Sequence, residues 1–207
     1  MVRGKLRIIK PRTFVLRMTA LAEKCARQTP SKESLWLSVL CLSFSLCARL
    51  NEVCPLFGDV EKENFSFDGW VCRFANGTRT VDGEGHREAF NKICLLKPEL
   101  TECLLDLVLT HRSLLGRHNW LSHSKCLRFN EAMTTYGIKE CVEEVAMTFS
   151  PRSFRSLGAT LLVRVHDLSS VHATTATGNC QTVRLQLGRI PLGSTTPGYM
   201  AHPVVDD

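Results

Sequence analysis

Apolar residues fall into blocks of helical length along most of the chain, and these blocks predict a mainly α-helical protein. The most apolar block runs from Ser34 to Ala48 and contains no charged residue. A membrane-spanning helix needs about twenty apolar residues, so this block of fifteen predicts a buried core helix instead. Ser31 is suited to cap its N-terminus, and Glu33 would lie in the first turn, where negative charge favours the helix dipole.

Three later stretches also have helical patterns. Residues Glu99 to Leu115 place leucines on one face, and Gly116 is a stop signal. A further helix is predicted from about Lys125 to Ala146. Another is predicted over Arg152 to Leu162, where basic residues precede an apolar run.

Strand signals are confined to the region after Pro55. Phe65, Phe67, Val71 and Phe74 recur near a period of two, and Asp68-Gly69 and Asn76-Gly77 are typical turn sequences. The chain therefore predicts a mainly α fold with a small antiparallel β-sheet.

Positive charge is concentrated near the N-terminus, although the net charge of +6 is modest. Within residues 1–30, Glu23 is the only acid among eight basic residues: Arg3, Lys5, Arg7, Lys10, Arg12, Arg17, Lys24 and Arg27. This basic N-terminal segment suits contact with nucleic-acid phosphates, and a solvated basic tail is the alternative. The chain of 207 residues, 44% of them hydrophobic, is long enough for a substantial core.

The ten cysteines do not follow a metal-binding pattern, because the sequence contains no Cys-x-x-Cys pair. Cys41 and Cys47 lie in apolar helical sequence and are expected to be small buried side chains in a reducing compartment. His118, His123 and Cys126 lie close together but lack a second paired half, so a metal site is not predicted.

Two arginine motifs and a late tyrosine carry the strongest chemical signal. Arg49 is followed three residues later by Glu52, and Arg155 leads into the run Gly-Ala-Thr-Leu-Leu. Tyr199 follows Gly188-Arg189 by ten residues. A tyrosine hydroxyl can hold a DNA phosphate covalently, and arginine forks can neutralise the charge that builds on its oxygens. This order resembles the catalytic domain of tyrosine recombinases, the phage integrase family.

The resemblance implies a role for six residues. Tyr199 would attack the scissile phosphate and form a 3′-phosphotyrosine, while Arg49 and Arg155 would hold the non-bridging oxygens. Arg152 and Arg189 stand where the family has histidines and would add positive charge. Lys92 is the candidate acid for the leaving 5′ oxygen, although Arg73 and Arg79 lie nearer to the family's usual position.

The resemblance also implies short helices at Asp167–Val171 and Val183–Gly188. It further implies the organisation and partners of the chain. Residues 31–202 would form the integrase-like catalytic domain, behind the basic segment 1–30 and before a short tail, 203–207, so the domain that clamps DNA from the other side would be missing. Double-stranded DNA is the expected partner, with possible homo-tetramers on paired sites. No metal, nucleotide or other cofactor and no membrane are expected. The protein would be intracellular and DNA-associated, in the cytoplasm of a bacterium or the nucleus of a eukaryote.

Two alternatives to this interpretation stay open, and the first follows from the replacement of both histidines by arginine. Arginine cannot exchange a proton near neutral pH, and general acid–base help is typically worth about 10²–10⁴-fold. One alternative is therefore a catalytically inactive DNA-binding or regulatory remnant of the same family. The other is a helical protein unrelated to DNA, in which Arg49, Arg155 and Tyr199 would lie far apart.

Overall fold

The computed structural model describes residues 6–75, 90–116, 131–144 and 151–169. The helices are α1 (Pro11–Arg27), α2 (Lys32–Ser45), α3 (Leu50–Val53), α4 (Pro98–Thr110), α5 (Arg112–Leu115), α6 (131–135) and α7 (Pro151–Ser169). The strands are β1 (Leu6–Ile8), β2 (Phe65–Asp68), β3 (Val71–Phe74), β4 (Phe90–Ile93) and β5 (Val142–Glu144). Helices thus dominate, with a small antiparallel sheet, which confirms the predicted fold class at this level.

Helix α2 is the centre of the core, as its apolar sequence predicted. Ser31 and Ser34 form a reciprocal capping box, with N···Oγ distances of 3.1 and 2.8 Å. From Ser34 to Ser45 every residue is buried, and the helix contacts α1, α4 and α7. Within the described residues, no helix is long and apolar enough to cross a membrane.

Helix α1 belongs to the same core, although its sequence is part of the predicted basic segment. It buries Phe14, Met18, Leu21, Ala22 and Cys25 on one face. Its basic residues Arg12, Arg17, Lys24 and Arg27 lie on the exposed side. From Leu6 to Arg27, the basic segment is therefore part of the fold.

Strands β2, β3 and β4 form the predicted antiparallel sheet in that order. The turn between β2 and β3 uses Gly69, whose φ of +51° is readily adopted by glycine. One face of the sheet buries Cys72, Phe74 and Lys92. The other face exposes Arg73, which pairs with Asn91 on β4.

The helix predicted from Lys125 to Ala146 is wrong over its second half. Helix α6 ends before Gly137, whose φ is +67°, and Val142–Glu144 pairs with β1 as an antiparallel strand. Ile138 and Val142 are buried in the core. The local sequence gives no sign of this strand, because its partner lies at the opposite end of the described chain.

Two other helix boundaries differ from the predictions. The helix expected to run from Glu99 to Leu115 is interrupted at His111, so α4 ends at Thr110 and α5 follows, with Gly116 as the stop at φ +64°. Residues 167–169 continue α7 and do not begin a separate short helix. The helix expected at Val183–Gly188 lies outside the described residues.

Candidate active site

Arg155 is held inside the protein by the end of α2. It lies on α7, is only 5% exposed, and donates a hydrogen bond from Nε to the carbonyl oxygen of Cys47 at 3.0 Å. A buried guanidinium needs such acceptors, because removing its charge from water is costly. The position of this arginine is therefore fixed by backbone geometry at Cys47.

The Cys47 carbonyl is presented by a Schellman motif at the end of α2. The N–H of Cys47 donates to Phe44 O at 3.2 Å, and the N–H of Ala48 donates to Ser43 O at 3.0 Å. Cys47 has a φ of +47°, at the position where glycine is most common. This motif turns the chain sharply, so the helix ends at Ser45 and Arg49 begins the next element.

Gly158 allows α7 to approach this turn. A methyl group added at Gly158 would lie 2.5 Å from the carbonyl oxygen of Phe44 and 3.0 Å from the Cys47 sulfur. Ala159 and Leu162 pack against Cys47, with Ile93 and Leu95 beside them. The apolar run after Arg155 therefore packs α7, the helix that carries this arginine, against the end of α2.

Glu52 joins the Arg49 segment to the sheet. The N–H of Arg49, the N-cap of α3, donates to Glu52 Oε2 at 2.8 Å. The same oxygen accepts a hydrogen bond from Lys92 Nζ at 2.7 Å. The side chains of Glu52 and Lys92 are 1% and 0% exposed, so this is a fully buried ion pair.

Lys92 reaches Glu52 because β4 is tied to the end of α2. The N–H of Leu95, just after β4, donates to Ser45 O at 2.9 Å. The Lys92 ammonium also lies 4.9 Å from the centre of the Phe74 ring, within the range of a cation–π interaction. Strand β4 thus carries this lysine, and the Phe74 ring on β3 packs against its ammonium group.

The electrostatics of the cluster follow from its burial. Burial lowers the pKa of Lys92 by penalising the ammonium, the positive charge of Arg155 lowers it further, and Glu52 opposes both. For Glu52, burial would raise the pKa, but the charge and hydrogen bond of Lys92 and the N–H of Arg49 lower it overall. The positive charges of Lys92 and Arg155 thus both lower the pKa of the Glu52 carboxylate.

The structure brings three of the six predicted residues to one place. Lys92 donates to Glu52, Arg155 donates to Cys47 O, and the charge of Arg155 is close enough to influence the pKa values of both Lys92 and Glu52. The half-buried Arg49 is tied to the Glu52 carboxylate by its backbone N–H. Arg152 lies in the first turn of α7, although its side chain is outside the described part of the structure. Arg79, Arg189 and Tyr199 lie outside the described residues. Arg73, the alternative to Lys92, lies exposed on the opposite face of the sheet.

Sequence reasoning did not find what holds the cluster together. The pairing of Glu52 with Lys92 joins residues 40 positions apart, and Arg155 meets a carbonyl 108 positions away. Neither contact has a local sequence signal. The one available sign was Gly158 inside an apolar helical run, since a glycine there favours close approach of another backbone.

The cysteines in the described residues form no disulfide. Of the eight, only Cys103 is exposed, while Cys41 and Cys47 are buried as predicted. Burial raises the pKa of Cys25, Cys54 and Cys94 to about 11. Within the same residues, no group of three or more His, Cys, Asp or Glu side chains could hold a metal ion.

Comparison of the chain with protein-family models, curated proteins and solved structures finds no match. Any assignment of function must therefore come from the residues themselves and from their geometry.

Proposed function

We propose that the protein cleaves and rejoins DNA strands through a 3′-phosphotyrosine on Tyr199, in the manner of a tyrosine recombinase. The observation that carries this proposal is the proximity of Arg155, Lys92 and the Arg49–Glu52 turn in one buried, charged cluster. Arg49, Arg155 and Lys92 come from three separate elements and are three of the six residues that the resemblance selected. An accidental match of short motifs gives no reason for them to converge.

Each residue would have a defined part in the reaction. The Tyr199 hydroxyl oxygen forms a bond to phosphorus as the bond from phosphorus to the 5′ oxygen breaks, and the phenolic proton passes to water. Arg49 and Arg155 neutralise the non-bridging oxygens, where negative charge builds in the transition state. Lys92 gives a proton to the departing 5′ oxygen. Attack by a 5′-hydroxyl on the phosphotyrosine then rejoins the strand and releases Tyr199.

A second candidate is a protein that binds DNA without cutting it. It is favoured by the complete burial of Lys92 against Glu52 and by the arginines at 152 and 189, which cannot transfer protons. Such a protein would keep the basic surface and the charged cluster but would form no covalent adduct.

An adduct assay separates the two candidates. The purified protein is incubated with a pool of nicked duplexes whose sequence is randomised around the cleavage site, so that cleavage traps the protein on DNA. A denaturing gel then shows any covalent product. Tyr199→Phe should abolish the adduct while leaving salt-sensitive DNA binding unchanged, because it removes only the nucleophilic oxygen.

Tyr136→Phe is the matched control, because Tyr136 is the only other tyrosine in the chain. It is half-buried, with Lys24 Nζ 4.8 Å from its ring centre, so its loss should leave the adduct intact. DNA binding without an adduct in the unaltered protein would support the second candidate. Absence of both binding and adduct would eliminate both.

A further inference from the structure

We propose that Glu52 is a positioning residue that keeps Lys92 protonated and holds it beside the turn that carries Arg49. Because Lys92 acts as an acid only in the reaction proposed above, this role rests on the proposed function. The evidence is the geometry of the pair: one carboxylate oxygen, Oε2, accepts from both Lys92 Nζ at 2.7 Å and the Arg49 N–H at 2.8 Å. A single atom thereby fixes the lysine relative to the turn that carries Arg49.

The surroundings of Lys92 explain why it needs this partner. Charged and titratable groups face it from four sides: Arg155 on α7, Glu52 on α3, the Cys47 thiol after α2 and the Cys72 thiol opposite it on β3. Burial raises the pKa of the Cys72 thiol, so this neighbour is neutral near pH 7. Glu52 is the carboxylate among these groups, and its charge has the largest effect in favour of the ammonium over the neutral amine.

Removal of the carboxylate charge should change the pH dependence of cleavage in a defined direction. In Glu52→Gln the lysine keeps a polar neighbour of similar shape but loses the opposing charge, and an opposing charge at this distance normally changes a pKa by about 1–3. The alkaline limb of the cleavage rate, where Lys92 loses its proton, should move to lower pH by that amount. At a pH above the alkaline limbs of both proteins, Glu52→Gln should cleave more slowly than the unaltered protein, by about tenfold for each pH unit that the limb moves.

A duplex with sulfur in place of the bridging 5′ oxygen distinguishes this role from simple damage. A thiolate leaves without needing a proton, so Glu52→Gln should cleave this duplex at the rate of the unaltered protein. Glu52→Asp keeps the charge and should keep the alkaline limb near its original pH. A uniform loss of rate on both duplexes, with no movement of the limb, would overturn the proposal.

Titration of the lysine itself gives a measurement that does not depend on cleavage. In protein labelled with ¹³C at the lysine ε-carbon, the Lys92 signal can be assigned with Lys92→Met and followed from about pH 6 to about pH 11, a range that brackets the ordinary lysine value. We expect an ammonium at pH 7 in the unaltered protein and a lower pKa in Glu52→Gln. A neutral amine at pH 7 in the unaltered protein would refute the role of Glu52 even if Glu52→Gln failed to fold.

The two measurements also separate this inference from the proposed function. If the unaltered protein forms no adduct with either duplex, the proposed function fails and Lys92 has no leaving group to protonate. If adducts form but Glu52→Gln changes neither the alkaline limb nor the pKa of Lys92, only the positioning role fails.

Discussion

Replacing Gly158 with alanine adds one methyl group at the point where α7 lies closest to the end of α2. In an ordinary helix interior this change stabilises a protein by about 0.5–1 kcal/mol, because glycine loses more backbone entropy on folding. Here the new carbon would lie 2.5 Å from Phe44 O, whereas ordinary contacts begin near 3.4 Å, so the two elements must separate by about 0.9 Å. The obstacle is a backbone carbonyl, which cannot rotate away as a side chain would.

Separation of this size should cost more than the alanine gains. Forcing an extra methyl group into a close-packed site typically costs about 1–3 kcal/mol, so we expect a net loss of up to about 2.5 kcal/mol after the helix gain is subtracted. The same movement lengthens the 3.0 Å bond from Arg155 to Cys47 O, so adduct formation should fall as well.

Urea unfolding followed by circular dichroism measures the change in the free energy of unfolding. Thr160→Ala on the same helix is the control, because Thr160 is half-buried, its hydroxyl bonds back to Ser156 O, and the change adds no atom at the contact with α2. If Gly158→Ala stabilises the protein by the ordinary helix increment, α7 does not approach α2 as described, and the account of how Arg155 is positioned is wrong.

Four further outcomes are expected. Lys92→Met leaves the Glu52 carboxylate buried without the lysine, and the free energy of unfolding in urea should fall by about 3–5 kcal/mol. A double variant with Glu52→Gln should recover part of that loss. If it recovers none, the two residues do not interact. Folding lowers the pKa of Glu52 from its ordinary value of 4.5. The carboxylate should therefore stabilise the fold fully above pH 4.5, and this stabilisation should be lost as the pH falls through the lower pKa of the folded state. From pH 7 to pH 5 and pH 3, the urea midpoint should then fall more in the unaltered protein than in Glu52→Gln. A thiol reagent applied to the native protein should modify Cys103 ahead of the other seven described cysteines, which are buried, and Cys103→Ser should remove that reaction. If the exposed face of α1 contacts DNA phosphates, Arg12→Gln and Arg17→Gln should each lower the slope of binding against salt concentration by about 1, whereas unchanged slopes would leave the basic face of α1 without a role in binding.

Local sequence signals were enough to predict α2 and the β2–β3 hairpin. The fifteen uncharged, mostly apolar residues before Arg49 and the serine cap at Ser31 predicted α2 closely, apart from its last turn. The alternating aromatics and Asp68-Gly69 predicted the β2–β3 hairpin. In both cases the periodicity and the turn chemistry lie within a short stretch of chain, so the sequence contains the information needed.

Contacts distant in sequence explain the misses. The strand at Val142–Glu144 depends on pairing with Leu6–Ile8, and propensity alone favoured a helix there. In the candidate site, the motifs pointed to Arg49 and Arg155, while the carboxylate that links Lys92 to the Arg49 turn acts through tertiary contact. The place of Tyr199 relative to this cluster stays a prediction.

The burial of α2 on all sides has a consequence for how the chain is made. During synthesis, α2 can pack against α1 at once and against α4 later. The face of α2 that α7 covers stays exposed until about residue 169 has left the ribosome. An exposed apolar helix of this kind is prone to self-association while it waits. Shortened versions that end before α7 should therefore accumulate as aggregates or require chaperones, and expression trials of subfragments should keep α2 and α7 together.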